Sequence, residues 1–366
     1  MKTKAKVLMT AALFMMTAAF ILIPQSEISA ASGFTVTDGE GTEFRYEAPS
    51  EKVMTVGKGL SATVIEIGYI DKILVCDSYS VAPTAEAVYD DLKKMVADGI
   101  VAGGGNIYSA GKAQLIIDIV YATENKGFDK AKDTVFITGG STYTTPIVSE
   151  LRGLGYEKVL LWTDIPTYED MMDYVDVVSK VVSGSTEGKA EQMRYVAKQI
   201  TETLGSREKV NAFYVTYSSG VFKVGNTGSL ATSMILAAGG NAITIDDSKA
   251  KPTYETSLPI LIGAYGTDTI VFVDSVIVSN ATNMNNLRTE LPGVTLVPLE
   301  SLWNNFDPDS MVGVWTMASA MYPDLFSGDV PTIPVDDGPD MIVYVIAAAV
   351  AVVAICAIGF FFLRRS

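Results

Sequence analysis

The sequence predicts an α/β protein with two lobes of mostly parallel sheet, a single long hinge helix between them and one C-terminal transmembrane helix. Three observations support this. Short β-rich runs alternate with amphipathic helical patterns, which is typical of parallel sheets covered by helices. Near the middle, two successive helical stretches interrupt the alternation, as a connection between lobes would. Finally, Met341 to Leu363 is an uncharged apolar run, and about 20 such residues span a bilayer.

The N-terminus has the pattern of a secretory signal peptide. Three lysines in the first six residues precede an apolar run at 7–23, and the small residues Ser29, Ala30 and Ala31 follow it. We expect 1–31 to be a signal peptide that is cleaved on export. An uncleaved N-terminal anchor is the alternative, and the body is exported in either case.

The N-terminal lobe is predicted over 32–165. It begins with a hairpin-like segment, Phe34 to Tyr46, and continues with βα units. Pro83 and Gly99 bracket one helix, in keeping with the preference for proline just inside a helix start and glycine just past its end. The predicted strands are 53–57, 72–77, 134–138 and 158–162, and the predicted helices are 60–67, 83–98, 112–121 and 146–154.

The linking helices are predicted over 166–206 and the C-terminal lobe over 207–326. One linking helix, 186–204, carries an apolar stripe at spacings of three and four residues. In the second lobe the predicted strands are 210–217, 221–224, 269–274 and 294–299, and the predicted helices are 229–238, 283–291 and 309–322. The alternation in both halves predicts two Rossmann-like lobes.

The C-terminal residues predict a stalk at 327–340 and a transmembrane anchor at 341–363. The stalk holds proline, glycine and aspartate without periodicity, and Arg364 and Arg365 after the apolar run favour a cytoplasmic C-terminus. No cysteine follows the signal segment, so the anchor is expected to be the C-terminal helix rather than a lipid. We expect an extracellular domain on the cell surface, an arrangement that we associate with archaea.

Composition excludes several classes of function. The chain has no histidine, which removes histidine-based catalysis and histidine-rich zinc sites. The net charge is −15, and without the three lysines, two arginines and one glutamate of the two ends the body carries −19. Such a surface repels phosphates, so nucleic acid is not an expected partner. The two cysteines, Cys76 and Cys356, lie in a predicted strand and in the predicted anchor, so no disulfide is expected.

Several segments, in order from 34 to 326, resemble the class III solute-binding proteins of ABC importers. They include the opening hairpin with its strand at 34–53, the stretch 62–73, the segment before the hinge at 168–191 and the helix at 224–241. That helix ends in the family's pattern Ala238-Gly239-Gly240-Asn241, and the last helix ends in Tyr322-Pro323-Asp324-Leu325-Phe326, which is similar to the family's ending.

The resemblance implies two lobes bridged by a rigid hinge helix, with a ligand held between them. It implies an extracellular component of an ABC importer, not an enzyme and without a cofactor of its own. The expected ligand is a metal chelate (ferric siderophore, cobalamin or haem), and the expected partner is a permease with its ATPase. A membrane-anchored surface sensor or interaction protein built on the same fold is the alternative.

Candidate ligand-binding residues are the aromatic and hydrogen-bonding side chains after predicted strands, because loops at the carboxyl ends of parallel strands line such clefts. Aromatic side chains offer a large flat apolar face with a polar tip, which suits a chelate. The candidates are Lys58, Ser61, Tyr79, Tyr143, Trp162, Tyr217, Trp303 and Asn304.

The permease-docking glutamates of the family are not found at the matching positions. The corresponding helices read Gly111-Lys112-Ala113-Gln114 in the first lobe and Leu230 to Met234 in the second, without an acid. Docking is therefore in doubt, or uses another acid such as Asp118.

Overall fold

The computed structural model describes residues 33–334, except 84, 109, 164, 187, 246–251, 301–302 and 304–305. The predicted signal peptide, the predicted anchor and part of the predicted stalk lie outside the described residues. Within the described part of the chain, no helix is long and apolar enough to cross a membrane.

A four-stranded parallel sheet forms the centre of the first lobe, in the order β4-β3-β5-β6. Every residue of these strands is buried, because helices cover both faces of the sheet. A two-stranded antiparallel hairpin, β1-β2, precedes it. The strands are β1 (Phe34–Thr37), β2 (Glu43–Tyr46), β3 (Val53–Val56), β4 (Ile73–Cys76), β5 (Thr134–Thr138) and β6 (Val159–Trp162).

Four helices accompany this sheet: α1 (Lys58–Glu66), α2 (Asp90–Ala97), α3 (Lys112–Asn125) and α4 (Ser141–Gly153). Two of them begin five or more residues away from the predicted start. A 3-10 turn at Ala87–Tyr89 comes before α2, so this helix begins seven residues after Pro83. By contrast, α4 begins at Ser141 and contains Pro146, because the glycines at 139 and 140, and not the proline, mark the end of the preceding strand and loop.

Two helices of 16 residues each occupy the linking segment, α5 (Tyr168–Ser183) and α6 (Lys189–Leu204), and they pack against each other. The expected single long hinge helix is therefore a pair. The Thr167 side chain accepts a hydrogen bond from the Asp170 N–H and so caps α5, which ends at Gly184 in the left-handed conformation, φ 84°.

The second lobe contains a six-stranded mixed sheet rather than a mostly parallel one. β7 pairs in parallel with β9 and β11, and β11 with β12, but β8 and β10 add an antiparallel edge. The strands are β7 (Asn211–Ser218), β8 (Val221–Gly225), β9 (Asn241–Ala242), β10 (Thr253–Glu255), β11 (Ile270–Val273) and β12 (Thr295–Pro298). The helices are α7 (Leu230–Ala237), α8 (Leu258–Tyr265), α9 (Ser275–Val278), α10 (Ala281–Glu290) and α11 (Ser310–Met321).

One hydrophobic core cluster runs through both lobes. It joins Phe136 of the first sheet and Met193 of α6 to Tyr214 of the second sheet and Val314 of α11. Two smaller clusters lie on the far faces of the two sheets. The described residues up to Val330 accordingly form one compact unit. Moving the lobes apart would expose this shared apolar surface. The facing surfaces of the two lobes are therefore held at a nearly fixed separation.

Candidate ligand-binding cleft

A cavity of about 490 Å³ lies at the carboxyl edge of the first sheet, and Phe306 of the second lobe closes one side of it. We call it the cleft cavity. It is lined by Gly57, Lys58, Gly59, Asp77, Tyr79, Ala82, Ala85, Ile107, Tyr108, Thr138, Gly139 and Phe306. This is the position at which open parallel sheets bind ligands.

Two glycines give the cavity its floor. Gly57 follows β3 with φ 139°, and a Cβ there would lie 2.3 Å from the Thr138 side chain. Gly139 follows β5 with φ 137°, and its Cβ would lie 2.4 Å from the Ile107 side chain. Only glycine adopts this backbone without strain and allows the neighbouring side chains to approach so closely.

Three tyrosines form a continuous aromatic edge beside the cavity, which we call the tyrosine rim. The Tyr79 and Tyr108 rings lie 5.9 Å apart at 80°, and the Tyr108 and Tyr143 rings lie 5.0 Å apart at 67°. These side chains remain 49%, 43% and 45% exposed in that order. Partial burial raises the pKa of the Tyr108 phenol, with smaller contributions from Tyr79 and Asp77. The Tyr108 hydroxyl is therefore neutral at physiological pH and can donate a hydrogen bond.

Two charged groups reach the cavity. The Lys58 Nζ lies 2.5 Å from the Glu86 Oε2, and both side chains are about three-quarters buried. The Asp77 Oδ1 accepts a hydrogen bond from the Tyr79 N–H at 2.7 Å, which fixes the start of the loop that carries Tyr79. Burial raises the pKa of Asp77 to about 6, so this carboxyl changes charge within reach of physiological pH.

The structure brings three of the predicted ligand residues together. Lys58 and Tyr79 line the cleft cavity, and Tyr143 is the outer member of the tyrosine rim. Asn304 lies outside the described residues. The other four predicted residues lie elsewhere.

Ser61 and Trp162 are buried in the first lobe. The Ser61 hydroxyl is fully buried and shares a hydrogen bond of 2.8 Å with that of Thr55. The Trp162 ring packs edge-on against Tyr174 at 5.1 Å in the shared core. Trp162 is the last residue of β6, whereas Ser61 lies within α1, and both side chains are buried in the packed interior.

Trp303 and Tyr217 belong to the second lobe. Trp303 is only 9% exposed and packs closely on α11. A Cβ added at Gly313 of that helix would lie 2.8 Å from the Cβ of Trp303. Tyr217 faces a different cavity of about 420 Å³ that is lined by second-lobe residues alone. These residues are Tyr217, Gly220, Val221, Phe222, Glu255, Thr256, Asn286, Thr289 and Glu290.

Sequence reasoning missed Tyr108 and Phe306. Tyr108 lies in a loop that begins with three glycines at 103–105, directly after the bridge that joins Ala102 to Val75 of β4. An isolated bridge is too short to give a strand pattern, so the loop was not recognised as one that follows a strand. Phe306 belongs to the loop after the late predicted strand that also supplied Trp303 and Asn304, but it is not among the candidates, and its φ of 60° is rare for a residue other than glycine.

The first turns of α3 and α7 contain no acidic residue, in agreement with the sequence. Asp118 does not offer a substitute for docking. It is buried, and its carboxylate accepts hydrogen bonds from the N–H groups of Gly104 and Gly105 and from the Gln114 side chain. Asp118 therefore holds the glycine loop in place.

No protein-family profile and no curated protein matches the sequence. Solved structures do resemble the fold. The CeuE protein of Helicobacter pylori in complex with nickel and histidine is 13% identical, with a TM-score of 0.56 over 80% of this chain and 89% of that one. The vitamin B12 binding protein BtuF of Vibrio cholerae is 15% identical, with a TM-score of 0.55 over 75% and 98%.

The haem-binding protein RhuT of Roseiflexus sp. RS-1 is also similar, with 15% identity and a TM-score of 0.54 over 75% of this chain and 98% of that one. The vitamin B12 and haem neighbours are described as periplasmic binding proteins, not as enzymes. The fold implied by the sequence resemblance is confirmed: the chain has the fold of the class III periplasmic binding proteins.

Proposed function

We propose that this chain is the extracellular substrate-binding component of an ABC importer, which captures a metal chelate in the cleft cavity and delivers it to a membrane permease. The observation that carries the proposal is the cavity of about 490 Å³ beside the tyrosine rim. Its volume is typical of small-molecule sites, and its aromatic faces suit a flat or bulky ligand. Ferric siderophores, cobalamin and haem are the proposed class, in line with the vitamin B12 and haem neighbours.

Each wall has a proposed role. The tyrosine rim stacks against the apolar part of the chelate, and Phe306 covers it from the second lobe. Lys58 pairs with a ligand carboxylate in exchange for part of its contact with Glu86. Tyr217, Trp303 and Asn304 stay sequence-based proposals, for a ligand that extends beyond the cleft cavity. Because the lobes share a core cluster, closure around the ligand is small.

Export and anchoring are proposed from the sequence. Residues 1–31 direct export, and 341–363 hold the protein on the outer face of the plasma membrane with the stalk between them and the lobes. Protease treatment of intact cells tests this, since it should remove the lobes and leave a small membrane-bound fragment.

Thermal unfolding of the full chain in detergent, against cobalamin, cobinamide, haemin and a panel of ferric siderophores, tests the ligand proposal. A compound at roughly 100 times its Kd adds about 2.7 kcal/mol to the free energy of unfolding. We expect one class of compound to raise the midpoint in the wild type and to do so much less in Tyr108→Ala. No rise with any compound would contradict the proposal.

A surface sensor or interaction protein on the same fold is the second candidate. The absence of acids from the first turns of α3 and α7, where the family docks its permease, favours it. Gene order distinguishes the two, because an importer component is expected beside genes for a permease and an ATPase.

A further inference from the structure

Three carboxylates meet where the two lobes touch, away from the cleft cavity. Glu66 is the last residue of α1 in the first lobe, and Asp307 and Asp309 immediately precede α11 in the second. One carboxylate oxygen of each lies within 4.8 Å of the other two. We call these three residues the lobe-junction carboxylates.

Two of the three have buried carboxylate oxygens without a hydrogen-bond partner. Asp307 is fully buried, and although its Oδ1 accepts the Asp309 N–H at 2.8 Å, its Oδ2 has no hydrogen-bond partner. The Glu66 side chain is 8% exposed, and neither of its oxygens has a hydrogen-bond partner. Buried carboxylate oxygens are normally satisfied, because leaving them unpaired costs several kcal/mol. A further positive group is therefore expected at this position.

The charges of the site lead to the same expectation. Among the described residues, the cation paired with the cluster is Lys189, whose Nζ lies 3.5 Å from the Glu66 Oε2 and 3.8 Å from the Asp309 Oδ1. When all three carboxylates are ionised, one ammonium leaves two negative charges uncompensated. Glu66 also stands at the C-terminal end of α1, where the helix dipole disfavours an anion.

We propose that Glu66, Asp307 and Asp309 form a divalent-cation site of the calcium type between the lobes. Calcium binds oxygen ligands at about 2.3–2.6 Å, so two ligands on opposite sides of one ion lie at most about 5 Å apart, and the observed spacing falls within that limit. Magnesium requires a tighter octahedron, and zinc prefers nitrogen and sulfur ligands that this cluster lacks. The Asp309 side chain is 41% exposed, so an ion can enter from that side with water completing its shell.

The site is connected to the cleft cavity through one residue. Asp307 follows Phe306 directly, and the Phe306 carbonyl accepts a hydrogen bond from the Thr63 hydroxyl of α1 at 3.3 Å. A bound ion adds a second link between α1 and this loop. It therefore fixes the second-lobe side of the cavity as well as the contact between the lobes.

Thermal unfolding tests the proposal. The full chain in detergent is treated with chelator and then unfolded with and without about 10 mM calcium, at equal ionic strength. For a Kd of about 10⁻⁴ to 10⁻³ M, the range of extracellular calcium modules, the midpoint should rise by about 2–4 °C. Magnesium at the same concentration is the control for charge screening and should give less than half of that rise.

The variants identify the residues. Asp307→Asn keeps the acceptor for the Asp309 N–H but loses a ligand oxygen, and Glu66→Gln tests the first-lobe side in the same way. Both should lose the calcium response while remaining folded, and in chelator Asp307→Asn should be at least as stable as the wild type. Asp173→Asn removes an exposed carboxylate of α5 and should respond as the wild type does.

Terbium, a luminescent substitute for calcium, gives a direct readout of the site. Burial, and to a smaller extent the nearby Asp307, raise the pKa of the Tyr89 and Tyr174 phenols, and we expect these two tyrosines to sensitise the terbium emission. We expect saturable terbium emission that is lost when calcium displaces the bound terbium. In Asp307→Asn the affinity for terbium should fall at least about tenfold. Equal calcium responses in the wild type and Asp307→Asn, or no saturable emission, would overturn the proposal and leave a shared proton as the neutralising group.

Discussion

The two walls of the cleft cavity differ in chemistry. The first lobe supplies charge and aromatic surface through Lys58, Asp77 and two members of the tyrosine rim, Tyr79 and Tyr108. Among the described residues that line the cavity, the second lobe supplies Phe306 alone. In the proposed function, the recognition surface is thus built on the all-parallel sheet, and the lobe with the mixed sheet acts as a cover. Four predictions test this difference between the two walls.

The largest effect is expected from a residue that the first wall hides. Trp162 lies behind the wall, in the shared core, and Trp162→Ala should lower the free energy of unfolding by about 3–5 kcal/mol. Urea unfolding measures this, with Tyr143→Ala as the control, which should change stability by less than about 1 kcal/mol because its ring is 45% exposed. A Trp162→Ala protein of normal stability with lost ligand binding would place the tryptophan in the wall.

The Asp77 carboxyl of the first wall should make the free energy of unfolding depend on pH. The folded state raises the pKa of Asp77 to about 6 from its ordinary value of 3.8, so it binds this proton more tightly than the unfolded state does. The resulting stability is fully present below about pH 4 and is lost as the pH rises through about 6. Asp77→Asn should remove this loss and gain about 2–3 kcal/mol on the wild type by about pH 7.

Urea unfolding between pH 4 and 7 follows this difference. Asp98→Asn, which removes an exposed carboxylate at the end of α2, should keep the wild-type dependence. Parallel curves of unfolding free energy against pH for the wild type and Asp77→Asn would show that the Asp77 carboxyl is more hydrated than its burial indicates.

Ligand affinity compares the two walls directly. Tyr108 is the central ring of the tyrosine rim, and Tyr108→Ala should weaken chelate binding by about 10- to 30-fold, since an aromatic anchor contributes about 1.5–2 kcal/mol or more. Phe306→Ala should weaken it less. Titration calorimetry measures both, with the exposed Tyr121 of α3 as the matched control in Tyr121→Ala. Equal losses from Tyr108→Ala and Phe306→Ala would remove the distinction between wall and cover.

The smallest effect concerns the ion pair at the rim of the cavity. Glu86→Gln leaves Lys58 with a neutral partner, so an anionic chelate should bind about two- to fivefold more tightly, the range of a partly exposed ion pair. The gain should shrink at high salt. Asp90→Asn, which breaks the exposed pair with Lys93, is the control. No change with any anionic ligand would mean that Lys58 stays outside the contact.

Much of the first lobe could be predicted from its sequence. β5 was predicted with its observed bounds, 134–138, because a strand buried on both faces reads as an uninterrupted apolar run. The second lobe was harder. β9 has two residues and β10 three, too few to show a period, and the antiparallel pairings of β8 with β7 and with β10 give the sheet its mixed character.

The candidate site was predictable only in part, for a related reason. Position after a strand indicated the correct edge of the first sheet, and so Lys58, Tyr79 and Tyr143 were identified. It could not separate Tyr79, which is half exposed, from Trp162, which is buried, because both lie at the carboxyl ends of strands of the same sheet. Which way a side chain points at a strand end depends on the loop that follows and on the helices packed above it.

Local patterns in the sequence indicate the α/β class and the two lobes around a helical link, and they predict two terminal segments that direct export and anchoring. Local periodicity and apolar run length specify these features, and neither depends on distant contacts. The tertiary structure alone decided that the lobes share one core, that Tyr108 joins the rim, and that Glu66 meets Asp307 and Asp309. Each of these contacts joins residues far apart in the chain, and only the packed core brings them together.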